Sequence, residues 1–140
     1  MTMPVSVMFP DRWDRITAGG MMSSLGSRKT VLSIAINSAA TTNATSIKAS
    51  AGTVYAVTAS NINAAARFVK LYNLAAAPTV GTSVPAITIP IPAASEVSIN
   101  LGPLGMRFGT GIALAITGAA TDADTTAVAA NEIKVMTSYI

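Results

Sequence analysis

The carboxylates are the first place to look for chemistry, and there are six: Asp11, Asp14, Glu96, Asp122, Asp124 and Glu132. Glycoside hydrolysis needs two carboxyl groups flanking one bond. Nothing in the spacing of these six pairs them for that work, and with three Phe, three Tyr and one Trp the chain offers few rings for a sugar platform. Asp122 and Asp124, in Thr-Asp-Ala-Asp-Thr, are the one close pair outside the N-terminal stretch. Alternating Asp residues in a loop suit calcium, which takes six to eight oxygens, but the glycine and terminal Glu of an EF-hand loop are missing. A solvated turn is the plainer reading. The chain has no His and no Cys. That removes a Ser-His-Asp triad, the commonest neutral-pH base, thiolate metal sites and disulfides. A Ser-Lys dyad has no motif to point to it. Residues 105–111 have the wrong glycine pattern for a phosphate loop and lead into a strand. The residues therefore point to a protein that is not an enzyme and holds no cofactor or metal.

The composition bears on partners. The chain has 140 residues, enough for one domain with a real core. Charged residues make up only 11% of it and hydrophobic residues 51%, against about 25% charged in an average soluble domain. So few charges protect poorly against association. That fits a large protein–protein surface, and it equally fits a surface built of Ser, Thr, Asn and Ala. The net charge of +3 is scattered, with Arg28-Lys29 the one adjacent basic pair. A nucleic-acid binder would show a denser basic stripe with aromatic rings between the charges. No apolar run is long enough to span a bilayer, the most apolar being GIALAITGAA at 111–120. No export signal is evident, so synthesis in a cytoplasm is expected.

Two regions differ in texture. Residues 1–29 hold five of the seven Met, the single Trp, Pro4, Pro10 and Gly19-Gly20, with no sustained period. They read as an extended N-terminal arm. Phe9 and Trp13, beside Arg12 and Arg15, are the residue types that anchor interfaces. The arm either lies on a partner through these four residues or tucks against its own domain, with Trp13 covering a core edge.

Residues 30–140 read as a β-domain. Strand-like runs occupy 30–36, 45–49, 53–59, 66–73, 86–91, 95–101, 112–117 and 131–139, split by turn residues, and no helix is long enough to stand alone. The runs 53–59 and 66–73 form the clearest adjacent pair, with a polar turn region at 60–65. The link Pro92-Ala93-Ala94 makes 86–91 and 95–101 a natural hairpin. Pro90 places its strand at a sheet edge or at a bulge, and Gly109 and Gly111 suggest a bulge or a close backbone contact. In RFVKLYN, Val69 and Leu71 face the core. Phe68, Lys70 and Tyr72 share the outer face, where two rings around one ammonium suggest partial cover; they form a candidate subunit-contact face, the alternative being a solvated one. Seven or eight short antiparallel strands with long polar loops predict an all-β, two-sheet antiparallel sandwich, jelly-roll-like, carrying the N-terminal arm.

The stretches TVYAVTASNINAAARFVKLYN, PAITIPIPA and GMRFGTGIALAITGAATDADTTAV, followed by a closing strand with a Tyr, resemble small structural proteins of tailed bacteriophages. The shared pattern is a strand like RFVKLYN, a strand like TGIALAITG, an acidic Asp/Thr loop and a last strand, over about residues 53–140. A chain of this size with an N-terminal arm is most similar, within that class, to a capsid decoration or cement protein. The resemblance implies a sandwich on the virion exterior, made in the bacterial host cytoplasm, that clamps neighbouring subunits of the major capsid protein. It also implies self-association as dimers or trimers, with no catalytic residues and no nucleic-acid or membrane partner. The alternative within the same class is a tail or fibre component that binds a host receptor. A fibre is expected to carry a trimeric stalk, and the chain has neither heptads nor a collagen-like repeat. Residues 1–29 lie outside the resemblance.

Overall fold

A computed structural model describes residues 30–140. They form nine strands: β1 (Leu32–Asn37), β2 (Thr45–Lys48), β3 (Gly52–Asn61), β4 (Arg67–Tyr72), β5 (Ile87–Ile91), β6 (Ser95–Asn100), β7 (Met106–Phe108), β8 (Ile112–Thr117) and β9 (Ile133–Tyr139). No described residue is helical. The strands arise where the sequence alternates. Ile133, Val135 and Thr137 of β9 are buried, while Lys134 and Met136 between them are exposed, the two-residue period of a sheet with one wet face.

The strands divide into two antiparallel sheets. One has the order β1-β9-β3-β6, with β7 also pairing with β3; the other has the order β2-β8-β4-β5. With β7 set aside, the first strand pairs with the last, β2 with β8, β3 with β6, and β4 with β5. A chain folded as nested antiparallel pairs and wrapped over two sheets is a jelly roll. The fold expected from the sequence is therefore present. β5 packs across the layers against β3 and β6, which brings β1 and β2 to the same side of the sandwich. The core between the sheets is aliphatic, with Val54, Val57, Val69, Leu71, Ile112, Leu114, Ile116, Ile133 and Val135 all buried and Phe108 at one end.

Two pairings expected from the sequence are corrected. The runs around 53–59 and 66–73 are not partners: β3 and β4 lie in different sheets, and residues 62–66 form a corner between layers. Nor do β5 and β6 form a hairpin, since the Pro92-Ala93-Ala94 link carries the chain from one sheet to the other. Asn61 holds both corners. Its buried side-chain amide donates to the carbonyls of Ala65, Ile91 and Pro92, at 2.9, 3.2 and 3.1 Å, and its side-chain oxygen accepts from the Asn63 N–H at 2.9 Å. One side chain thus satisfies backbone groups that a change of sheet leaves unpaired.

Pro90 sits on an edge strand, as its missing N–H requires. The strand β7 is an addition to the expected set. It continues the line of β6 along β3 after an excursion at residues 101–105. Gly111 makes a close backbone contact: a Cβ there would meet the Leu74 carbonyl oxygen at 2.5 Å. Nothing crowds Gly109.

Candidate interaction surfaces

The outer faces of the two sheets are built differently. On the β2-β8-β4-β5 sheet, register places Phe68 beside Thr117, Lys70 beside Ala115, and Tyr72 beside Ala113. All of these except Phe68 are buried, and Phe68 is half-buried. Their cover is the chain itself. Leu74 and Val80, from the β4–β5 connection, pack on Tyr72, Ala113 and Ala115. The β8–β9 connection meets that loop: a Cβ on Gly81, whose φ is +91°, would strike Thr125 Cγ2 at 2.6 Å. Ala113 and Ala115 are small because loops lie over them.

Lys70 anchors this cover. Its side chain is 0% exposed, and its Nζ donates to the Thr121 carbonyl at 2.6 Å. A buried ammonium needs such a partner, since desolvation of the charge is otherwise costly. Asp124 closes the same loop, accepting from the Ala119 N–H at 2.9 Å and from the Thr126 hydroxyl at 2.7 Å. Burial works to raise the Asp124 pKa, but the bonds from Thr126 and Ala119 and the positive charge of Lys70 outweigh it and hold this carboxyl below the ordinary range. Burial, and then the charge of Asp122, push the Tyr72 phenol above its ordinary value. The Tyr72 hydroxyl has no hydrogen-bond partner among the described residues. The Asp122–Asp124 loop is thus spent on its own closure over the sheet. Of the three residues expected to form a subunit-contact face, the structure keeps Phe68, Lys70 and Tyr72 side by side, but the protein's own loops occupy Lys70 and Tyr72. Phe68 alone retains surface to offer a second subunit.

Where the chain leaves this sheet for β9, a polar cluster sits at the rim. Glu132, 4% exposed, accepts from the Ala129 N–H at 2.6 Å and pairs with Arg67 at 2.9 Å. Buried Ser38 accepts from the N–H groups of Glu132 and Ile133, at 3.1 and 3.0 Å, and donates to the Ala129 carbonyl at 2.8 Å. Sequence reading missed this cluster. Ser38 looks like any serine in a polar turn region, and nothing local marks Glu132 as the partner of Arg67, far away in sequence. Among the described residues, no group of three or more carboxylates is placed to hold a metal ion.

The outer face of the β1-β9-β3-β6 sheet has no such cover among the described residues. Register lays Ala35 and Asn37 beside Met136 and Lys134, these beside Thr58 and Ser60, and those beside Ser98 and Glu96. The face is built mainly of small residues, with Lys134 and Glu96 its charged members along these rows. It holds a shallow open depression lined by Ala35, Thr58, Ser60, Glu96, Lys134 and Met136. Met136 stands out of it, 53% exposed. Phe9, Arg12, Trp13 and Arg15 of the expected arm lie outside the described residues.

No protein-family model matches the chain, and no curated protein matches it by sequence. Among solved structures it is similar to one described as a Bacillus endospore appendage of a family of disulfide-linked pili. That match has 16% identity and a TM-score of 0.39, and covers 79% of this chain and 83% of the other. It is also similar to the coat protein of Tobacco streak virus, at 9% identity and a TM-score of 0.29, covering 80% and 86% of the two chains. This chain, without cysteine, has no disulfide available to it.

Proposed function

We propose that this protein is a structural component of a tailed-phage virion that binds the outside of the capsid shell and clamps neighbouring subunits of the major capsid protein, without catalysis. The observation that carries the reading is the contrast between the sheets. One outer face is closed by the protein's own loops; the other has no such cover among the described residues and presents small polar side chains with Met136, Lys134 and Glu96. A module that grips a protein surface needs an open face, and here Lys134 and Glu96 would need partners of opposite charge when it is covered. The sequence resemblance to phage structural proteins supports the same reading. The arm supplies a second grip, through Phe9, Arg12, Trp13 and Arg15.

A clamp acts by mass action. A protein that binds only the assembled shell stabilises it, and separating two subunits then has to break the clamp's contacts as well as their own. The test is stoichiometry in purified particles. A decoration protein is present in a number comparable to that of the shell subunits, or in a simple fraction of it. A few copies per particle would overturn the proposal in favour of a receptor-binding tail or fibre component. The arm is tested separately: deleting residues 1–29 is expected to weaken binding to shells, and undiminished binding would remove the arm from the account.

A further inference from the structure

We infer that the edge of β1 left unpaired among the described residues pairs with β1 of a second copy of this chain, joining two sandwiches through one continuous sheet. The sandwich has four sheet edges, and three of them are blunted. The edge strand β5 carries Pro90. The edge strand β2 has four residues, ends on Lys48, and has a register shift between Ser46 and Lys48. The β6–β7 line is broken by the excursion at residues 101–105, where Leu104 is 89% exposed, and carries Glu96 and Arg107. Proline, charge, short strands and bulges are the usual protections of an edge against strand addition. β1 has none of them. Its six residues, LSIAIN, run in unbroken register with β9 from Leu32 opposite Tyr139 to Asn37 opposite Lys134.

The backbone of β1 is phased for a partner. The Ser38 N–H donates to the Ile133 carbonyl at 2.8 Å. Hydrogen-bonded and non-bonded pairs alternate in an antiparallel ladder, so Leu32, Ile34 and Ile36 direct their amides and carbonyls towards β9. Ser33, Ala35 and Asn37 direct theirs to the open edge, where no described residue meets them. The side chains tell the same story. Leu32 lies on the core side of its sheet yet is 51% exposed, Val31 beside it is 54% exposed, and Ile34 and Ile36 are only half-buried. A further strand with apolar residues in the same phase would cover them.

A second copy of β1 has that phase. Antiparallel pairing about a two-fold axis at Ile34 sets Leu32 of each copy against Ile36 of the other, and Ser33 against Ala35. Large residues then meet on the core side and small ones on the outer side, with no charge opposed to another. The segment just upstream, GMMSSLGSRK at 20–29, lacks the alternation of β1 and carries two glycines. A two-fold contact uses up the edge on both copies and closes, where a head-to-tail strand addition would grow a filament.

Ala35→Pro tests this in the full-length chain. The Ala35 N–H faces the open edge, so proline there removes a bond to the second copy and none to β9. In size-exclusion chromatography with light scattering, the wild-type chain is expected to run as a dimer and Ala35→Pro as a monomer with a far-ultraviolet spectrum like that of the wild type. Losing one or two hydrogen bonds raises the dissociation constant at least about tenfold. Should the proline variant not fold, a second measurement stands in its place. In this cysteine-free chain, a mixture of Ser33→Cys and Ala35→Cys is expected to oxidise to a cross-linked dimer, since bonded pairs bring Cα atoms to about 5.5 Å, within disulfide reach. A monomeric wild type, a dimer indifferent to Ala35→Pro, or the absence of that cross-link overturns the inference. So does a monomer that dimerises only when residues 1–29 are deleted, because the chain's own N-terminal residues would then hold the edge. The stoichiometry of the virion is unaffected by any of these results, so this inference and the capsid proposal fail separately.

Discussion

The two sheets of this sandwich share a core and differ in what they do with their outer faces. Behind the β2-β8-β4-β5 sheet the chain has put two loops, a buried ammonium, a buried tyrosine and a run of alanines small enough to be covered. Behind the β1-β9-β3-β6 sheet there is no such cover among the described residues, and serine, threonine, asparagine and alanine face outward with Met136, Lys134 and Glu96. One face is closed by the fold; the other is open among the described residues. Burial is expressed as stability, so substitutions on the closed face should cost much, and substitutions on the open face should cost little in the isolated chain while weakening its assemblies.

The largest effect should come from Tyr72→Ala. Removing a fully buried ring from beneath Leu74 and Val80 is expected to destabilise the protein by about 3–5 kcal/mol, on the scale of other aromatic truncations, as read by denaturant unfolding. A loss below about 1 kcal/mol would mean that the loops do not seal this face. Next is Lys70→Met, which keeps the apolar stem and deletes the bond to the Thr121 carbonyl. The lost charged hydrogen bond is partly offset by relief of the ammonium's desolvation, so a net cost of about 1–2 kcal/mol is expected. Faster proteolysis or amide exchange in residues 119–126 should accompany it.

The loop should also respond to acid. The folded-state pKa of Asp124 lies below its ordinary value. Its contribution is therefore complete above the ordinary carboxylate pKa of about 3.9, and is lost as pH falls from there through the lowered folded value. Melting curves over that range should show the acid loss reduced in Asp124→Asn. The smallest effect is predicted on the open face: Ser60→Ala should change stability by no more than about 0.5 kcal/mol.

Much of this architecture was legible in the sequence, and the misses have a common cause. Alternation placed eight strands to within a residue or two, because a two-residue period reports a sheet with one buried face directly. β7 escaped because Met106-Arg107-Phe108 is too short to show a period. The mistaken pairings of β3 with β4 and of β5 with β6 share one origin. A short polar link looks the same whether it turns within a sheet or crosses between sheets, and what decides is the distant pairing of β3 with β6 and β4 with β5. The close approach at Gly111 was readable as a glycine before an apolar strand. Partial cover of the outer face at Phe68, Lys70 and Tyr72 was readable from two rings around one lysine; the identity of the cover was not, because Thr121 and Val80 carry no local sign of where they will lie. The Ser38–Glu132 cluster was invisible for the same reason.

The central claim is that the open sheet is the working surface, and hydroxyl-radical footprinting of the protein free and on purified particles tests it most directly. Met136 on the open face and Val84 in the β4–β5 connection are 53% and 73% exposed, so both report in the free chain. The account predicts strong protection of Met136 on the particle, with Val84 nearly unchanged. Protection of Val84 with Met136 still fully reactive would contradict it.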